Sequence, residues 1–117
     1  MTEVSAPVPW ERLRRGEDIR GVMRHGSRLG QGRVVLYVLP VEQGTRVAFV
    51  CGRRVGTAVA RNRARRLMRE AWRALVPGLR EGFDIVVLAR PEIAGAAMGD
   101  VLAEVRTALQ RAGVIAR

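Results

Sequence analysis

Apolar positions recur along this chain with two periods, and the changes of period mark its elements. From Thr57 to Pro77 the repeat is helical. With Arg61 set at zero and a step of about 100° per residue, Ala60, Ala64, Leu67, Met68, Ala71 and Leu75 fall within roughly 240–340°. Arg61, Arg63, Arg65, Arg66, Arg69 and Arg73 fall within roughly 0–200°. Asn62 lies inside the arginine arc, Glu70 at its edge, and Trp72 at the seam beside Arg61 and Arg65. Thr57 supplies an N-cap hydroxyl. Pro77 and Gly78 stop the helix about five turns later.

Shorter patterns flank this helix. Glu17 to His25 predicts a helix with acids first and bases last, which suits its dipole. Gly26 is expected to cap it, and Ile19, Val22 and Met23 form an i, i+3, i+4 apolar stripe. Arg33 to Leu39 predicts a strand. Its alternation puts Val34, Leu36 and Val38 on one face and Arg33, Val35, Tyr37 and Leu39 on the other. A tyrosine beside an arginine on a sheet face suits stacking and pairing with single-stranded nucleic acid. Arg46 to Cys51 predicts a second strand, antiparallel to the first because the connection is short. Phe83–Ala89 is almost continuously apolar, the pattern of an interior strand covered on both faces. Met98 to Ala112 predicts the last helix, with Gly113 as its cap. The order αββαβα gives an α/β (α+β) two-layer sandwich. It forms a single domain over residues 11–117, preceded by a disordered tail over residues 1–10 whose end Trp10 pins to the body.

Charge changes the picture. The 117 residues carry a net charge of +10, and all 21 basic residues are arginine. A solvated helix face usually interleaves both signs. Here the arc is almost purely cationic, and Arg53 and Arg54 precede it. The i, i+4 row Arg61, Arg65, Arg69, Arg73 costs helix stability, a few tenths of a kcal/mol per like-charged pair. Fork-shaped guanidiniums match phosphate oxygens, so the expected partner is a polyanion, and nucleic acid above other classes. One cysteine, Cys51, leaves no internal disulfide or cysteine-cluster zinc site and reads as a small buried hydrophobe. No apolar run approaches the roughly 18 residues of a membrane span, and no signal-peptide pattern opens the chain. The expected location is the cytoplasm.

No catalytic set emerges. The lone histidine, His25, sits at a predicted helix end, where capping or solvation is the ordinary role. The eleven acids are scattered, with no metal clamp or paired carboxylates. The glycines spell no dinucleotide or phosphate loop.

The motif Val55-Gly56-x-Ala58-Val59-x-Arg61-Asn62-Arg63-x-x-Arg66-Leu67-x-Arg69-Glu70-Ala71-x-Arg73 resembles the R-N-R helix of the bacterial ribonuclease P protein subunit family. Arg12-Leu13 with Asp18, Val22, His25 and Gly26 resembles the family's first helix. Leu36-Tyr37-Val38-Leu39-Pro40 resembles its first strand, and Phe83-Asp84-Ile85-Val86-Val87-Leu88-Ala89-Arg90-Pro91 the strand after the arginine helix. The resemblance covers roughly residues 11–113. It implies a mixed sheet with a left-handed βαβ crossover around the arginine helix, against the usual hand. It implies binding to the catalytic RNA that, with magnesium, removes the 5′ leader of precursor tRNA. It further implies that Mg²⁺ is held mainly by the RNA, that the RNA performs the cleavage, and that the protein alone binds no cofactor.

Carried over by position, Arg53, Arg54, Arg61, Asn62, Arg63, Arg66 and Arg69 are the expected contacts to the catalytic RNA; Arg65 and Arg73, on the same cationic arc, are expected to join them. Ile19, Met23, Arg33 and Tyr37 are the expected lining of a cleft for the leader. The family usually has aromatics where this chain has Ile19 and Met23, and an asparagine where it has Thr57. Ile19 cannot stack on a base, and Met23 offers only a soft contact. A non-catalytic, ribosome-associated RNA-binding module is the alternative, for which a single-strand cleft would be superfluous. DNA-binding and membrane-surface roles are disfavoured, the latter because the apolar arc is needed for the core.

Overall fold

Seven residues with a single charge among them, Phe83–Ala89, lie at the centre of a five-stranded sheet. A computed structural model describes residues 9–116, in the order β1 (Glu11–Arg12), α1 (Gly16–His25), β2 (Ser27–Gln31), β3 (Val34–Pro40), β4 (Thr45–Cys51), α2 (Ala58–Leu75), β5 (Phe83–Ala89) and α3 (Met98–Arg111). The sheet order is β1-β4-β5-β3-β2. β5 runs parallel to β4 and antiparallel to β3, so the sheet is mixed. The β4–α2–β5 unit joins adjacent parallel strands by a crossover that carries the arginine helix.

Burial explains this order. Ile85, Val86 and Val87 are fully buried, and only a central strand with a helix layer on each face can bury consecutive residues in this way. Val34, Leu36, Val38, Val47, Ile85, Val87 and Ala89 pack against α2 and α3, the principal helical layer. On the other face the shorter α1 sets Val22 with Leu13 against Ala48 and Val86. Among the described residues no helix is long and apolar enough to cross a membrane.

The structure refines four of these expectations. β3 and β4 run antiparallel as the short connection suggested but do not pair: β5 lies between them, because burying the most apolar strand outweighs closing the short connection. β1 and β2 were not expected; β2 reads Ser-Arg-Leu-Gly-Gln, a sequence with little strand character that pairs as an edge. Gly26 caps α1 as expected, its N–H donating to the Val22 carbonyl at 2.8 Å, but its backbone is not left-handed. Its φ is −77°, and glycine is required because a Cβ would lie 2.6 Å from the Val22 carbonyl oxygen and 2.8 Å from that of Val38. Trp72 does not sit at a seam but is fully buried, edge-on to Trp10 at 5.8 Å and to Phe49 at 6.4 Å. Trp10 thus pins the chain's start as expected, while the expected disordered tail falls mainly on residues 1–8, outside the described residues.

Candidate nucleic-acid interface

The arginine helix begins as its sequence requires: the Thr57 hydroxyl accepts the Ala60 N–H at 3.2 Å. Burial of Trp72 carries the buried arc past the expected seam and sorts the arginines in two. Arg61, Arg65 and Arg69 lie half-buried along the flank. Asn62, Arg63, Arg66 and Arg73 are exposed on the crest, together with Arg53 and Arg54 in a single 3-10 turn just upstream. Val59, 78% exposed, stands on the same crest near the helix start.

Neighbours hold several of these groups in place. Asn62 Oδ1 accepts a hydrogen bond from Arg65 Nη2, which fixes that guanidinium along the flank. Arg63 Nη2 donates to the Ala96 carbonyl at 2.8 Å, so part of its donor set goes to the loop before α3. Arg69 Nε is buried with no partner among the described residues. Burial lowers the Arg69 pKa from its usual value, and the charges of Arg12, Arg73, Arg65 and Arg66 lower it further. An unmet donor among like charges favours an anion beside it.

A groove of about 270 Å³ continues from this flank, lined by Arg12, Arg14, Ile19, Ala48, Arg65 and Arg69 among others. It leads beneath α1, where Ile19 and Met23 face the sheet around Tyr37, Leu39 and Val50. Tyr37 is half-exposed, in register with Val86 on β5 and Arg28 on β2. The structure therefore brings Ile19, Met23 and Tyr37 to one face.

It does not bring Arg33 there. β3 starts one residue later than the alternation suggested, and Arg33 lies in a two-residue turn with Gly32, whose φ is +55°. The Arg33 guanidinium pairs with Glu104 on α3 and lies 4.0 Å from Asp100. Its main-chain N–H also donates to Glu104 at 2.9 Å. Arg33 thus ties the β2–β3 turn to α3.

The sequence reading missed a clamp at one end of the cleft. Asp84, 5% exposed, accepts hydrogen bonds from Arg46 Nε at 2.9 Å and Nη2 at 2.6 Å. Arg46 Nη1 also lies 3.8 Å from Asp18 on α1, so the cluster ties helix to sheet. The hydrogen bond to Asp84 and the nearby carboxylates of Asp84, Asp18 and Glu11 raise the Arg46 pKa, against the opposing effect of burial. Odd spacing along two separate strands leaves no local signal for such a pair. Cys51 packs against the core but is half-buried and not fully buried, its thiol pKa raised by burial against the pull of Arg65 and Arg61. Among the described residues no cluster of three or more histidine, cysteine or acidic side chains offers a metal site.

The family model described as Ribonuclease P matches residues 9–113. The "Ribonuclease P protein component" of Roseiflexus sp. (strain RS-1) is 43% identical over 106 residues, covering 89% of this chain and 87% of that one. That of Symbiobacterium thermophilum is 37% identical over 108 residues, covering 91% and 94%. The RNase P protein from Thermotoga maritima superposes with a TM-score of 0.77 at 27% identity, over 86% of this chain and 96% of that one. The Staphylococcus aureus RNase P protein shares the fold at a TM-score of 0.80, with 21% identity, over 89% and 96%.

Proposed function

The chain belongs to the ribonuclease P protein family, and we propose that it binds the catalytic RNA of ribonuclease P through α2 while its α1–sheet cleft holds the 5′ leader of precursor tRNA. One observation supports both halves of this reading. The crest and flank of a single helix present guanidiniums, and the flank opens directly into the groove beneath Ile19. Crest residues Asn62, Arg66 and Arg73 with Arg53 and Arg54 face outward to the folded RNA. Arg61, Arg65 and Arg69 face the junction, where leader and catalytic RNA phosphates converge.

The chemistry belongs to the RNA. Along α2 the only acid is Glu70, so the donor set suits phosphate and not a dication. In this reading magnesium would be held by RNA ligands, where it would supply activation of water for the cleavage. The protein's contribution is to neutralise phosphate repulsion and to orient the leader, which lowers the cost of bringing two RNAs together.

Reconstitution tests this reading. The chain is mixed with the candidate catalytic RNA from the same cell and a precursor tRNA, at low-millimolar magnesium where the RNA alone is slow. The expected result is protein-dependent release of the 5′ leader at an unchanged cleavage site. Tight RNA binding with no gain in cleavage would reduce the chain to a non-catalytic RNA-binding module.

A further inference from the structure

We propose that Val59 is a non-ionic contact of the α2 crest, which packs against ribose and base edges in the minor groove of the catalytic RNA and contributes specificity where the arginines contribute charge. This rests on the RNA-binding reading of α2 above and extends it to a residue that carries no charge.

The fold gives Val59 no packing role. It is 78% exposed and, among the described residues, it is the only exposed large apolar side chain. It is the second residue of α2, which runs Ala58–Leu75. A β-branched side chain there has a lower helix propensity than alanine, arginine or glutamate. Near a helix N-terminus the stabilising choice would be an acid. Valine at this position therefore gains neither core contacts nor helix stability. Its one favourable exchange is burial against something outside the chain.

Its neighbours select the partner. Val59, Asn62, Arg63 and Arg66 recur at i, i+3, i+4 and i+7 and are all exposed, so they form one stripe along the crest. Arg53 and Arg54 stand just upstream. An apolar protein or lipid surface docked on Val59 would bury these cations unpaired. RNA offers both chemistries at once: phosphates for the guanidiniums and, between phosphates, the C–H faces of ribose and the base edges. In an A-form helix these line a wide, shallow minor groove that an exposed helix crest can reach. Asn62, one turn from Val59, adds a polar contact. Its Oδ1 is taken by Arg65, and its amide nitrogen, without a partner among the described residues, is a donor for a 2′-hydroxyl or a base acceptor. Phosphate contacts set position, while contacts in the groove discriminate.

Binding titrations across a salt series, with the candidate catalytic RNA from the same cell and with an unrelated RNA duplex, test this. Val59→Ala should weaken binding of the catalytic RNA about fivefold, the effect of withdrawing two half-buried methyl groups. The salt slope should not change, because no charge is removed. The unrelated duplex should bind as before, so the specificity ratio falls by the same factor. Val59→Ile, which keeps the apolar contact, should bind as the wild type does. The free Val59→Ala protein should melt at the same temperature or higher, since alanine is the better helix former, which separates lost binding from lost folding. Unchanged binding of the catalytic RNA by Val59→Ala, an equal loss on both RNAs, or a fall in the salt slope would overturn the proposal. A wild-type chain that binds the two RNAs alike would instead overturn the RNA-binding reading of α2 itself, and this inference with it.

Discussion

Tyr37 is the only aromatic ring in the cluster packed beneath α1 among the described residues, where Ile19 and Met23 occupy the α1 positions above it; Phe49, at the groove's α2 end, packs edge-on to Trp72. A base stacked on an aromatic is worth on the order of 1–3 kcal/mol by alanine substitution. Tyr37→Ala should therefore cut the preference of the holoenzyme for precursor over mature tRNA by about tenfold or more, and Tyr37→Phe should retain it. Competition binding with the two tRNAs reads this, and an unchanged preference in the alanine variant would refute the role of Tyr37. The same residue shows how far local alternation reaches. It placed Tyr37 and Val34 on their correct faces, because both lie within β3. It failed one residue upstream, where the backbone enters a turn and Glu104, seventy-one positions away, captures Arg33.

At the scale of elements, α2 and the β5 run were legible because each carries its own periodicity and its own stop signals. Strand order was not. It depends on which strand gains most from double burial, a comparison between segments far apart in the chain. β4 moves away from β3 so that β5 can be covered on both sides, and no residue of the β3–β4 connection encodes that choice. The Asp84–Arg46 clamp follows from this order, since the two residues face each other only once β4 and β5 pair in parallel. Arg46→Met should leave the Asp84 carboxylate buried and unpaired. Breaking a buried pair costs about 3–5 kcal/mol, and the half-exposed Arg46 reduces this to about 2–3 kcal/mol. Denaturant unfolding would show a lower midpoint at unchanged slope. Asp84→Asn/Arg46→Met, which removes the buried charge too, should recover much of the loss. If Arg46→Met unfolds at the wild-type midpoint, the clamp does not hold α1 to the sheet.

For the whole molecule, a net charge of +10 says only that a polyanion is welcome; the fold decides where. The α2 crest and the groove flank both project cations, yet the individual arginines are not equivalent. Arg66 and Arg73 are exposed and make no hydrogen bond or ion pair among the described residues, whereas Arg63 is committed to the Ala96 carbonyl. Counterion release separates the two kinds. If Arg66 and Arg73 each meet a phosphate of the catalytic RNA, Arg66→Ala/Arg73→Ala should lower the salt slope of protein–RNA binding by nearly two units, about 0.9 per helical phosphate. Stability of the free protein should stay the same or rise, because like-charge repulsion along the helix is relieved. Arg63→Ala should do the reverse. Its slope change should be smaller, while the melting temperature falls, since the Ala96 carbonyl loses its guanidinium donor. Binding titrations across a salt series, paired with thermal melts of the free variants, read both quantities. Identical slope changes for the two variants would mean that the crest acts as a diffuse cloud of charge, and the division into RNA-facing and loop-anchoring arginines would have to be abandoned.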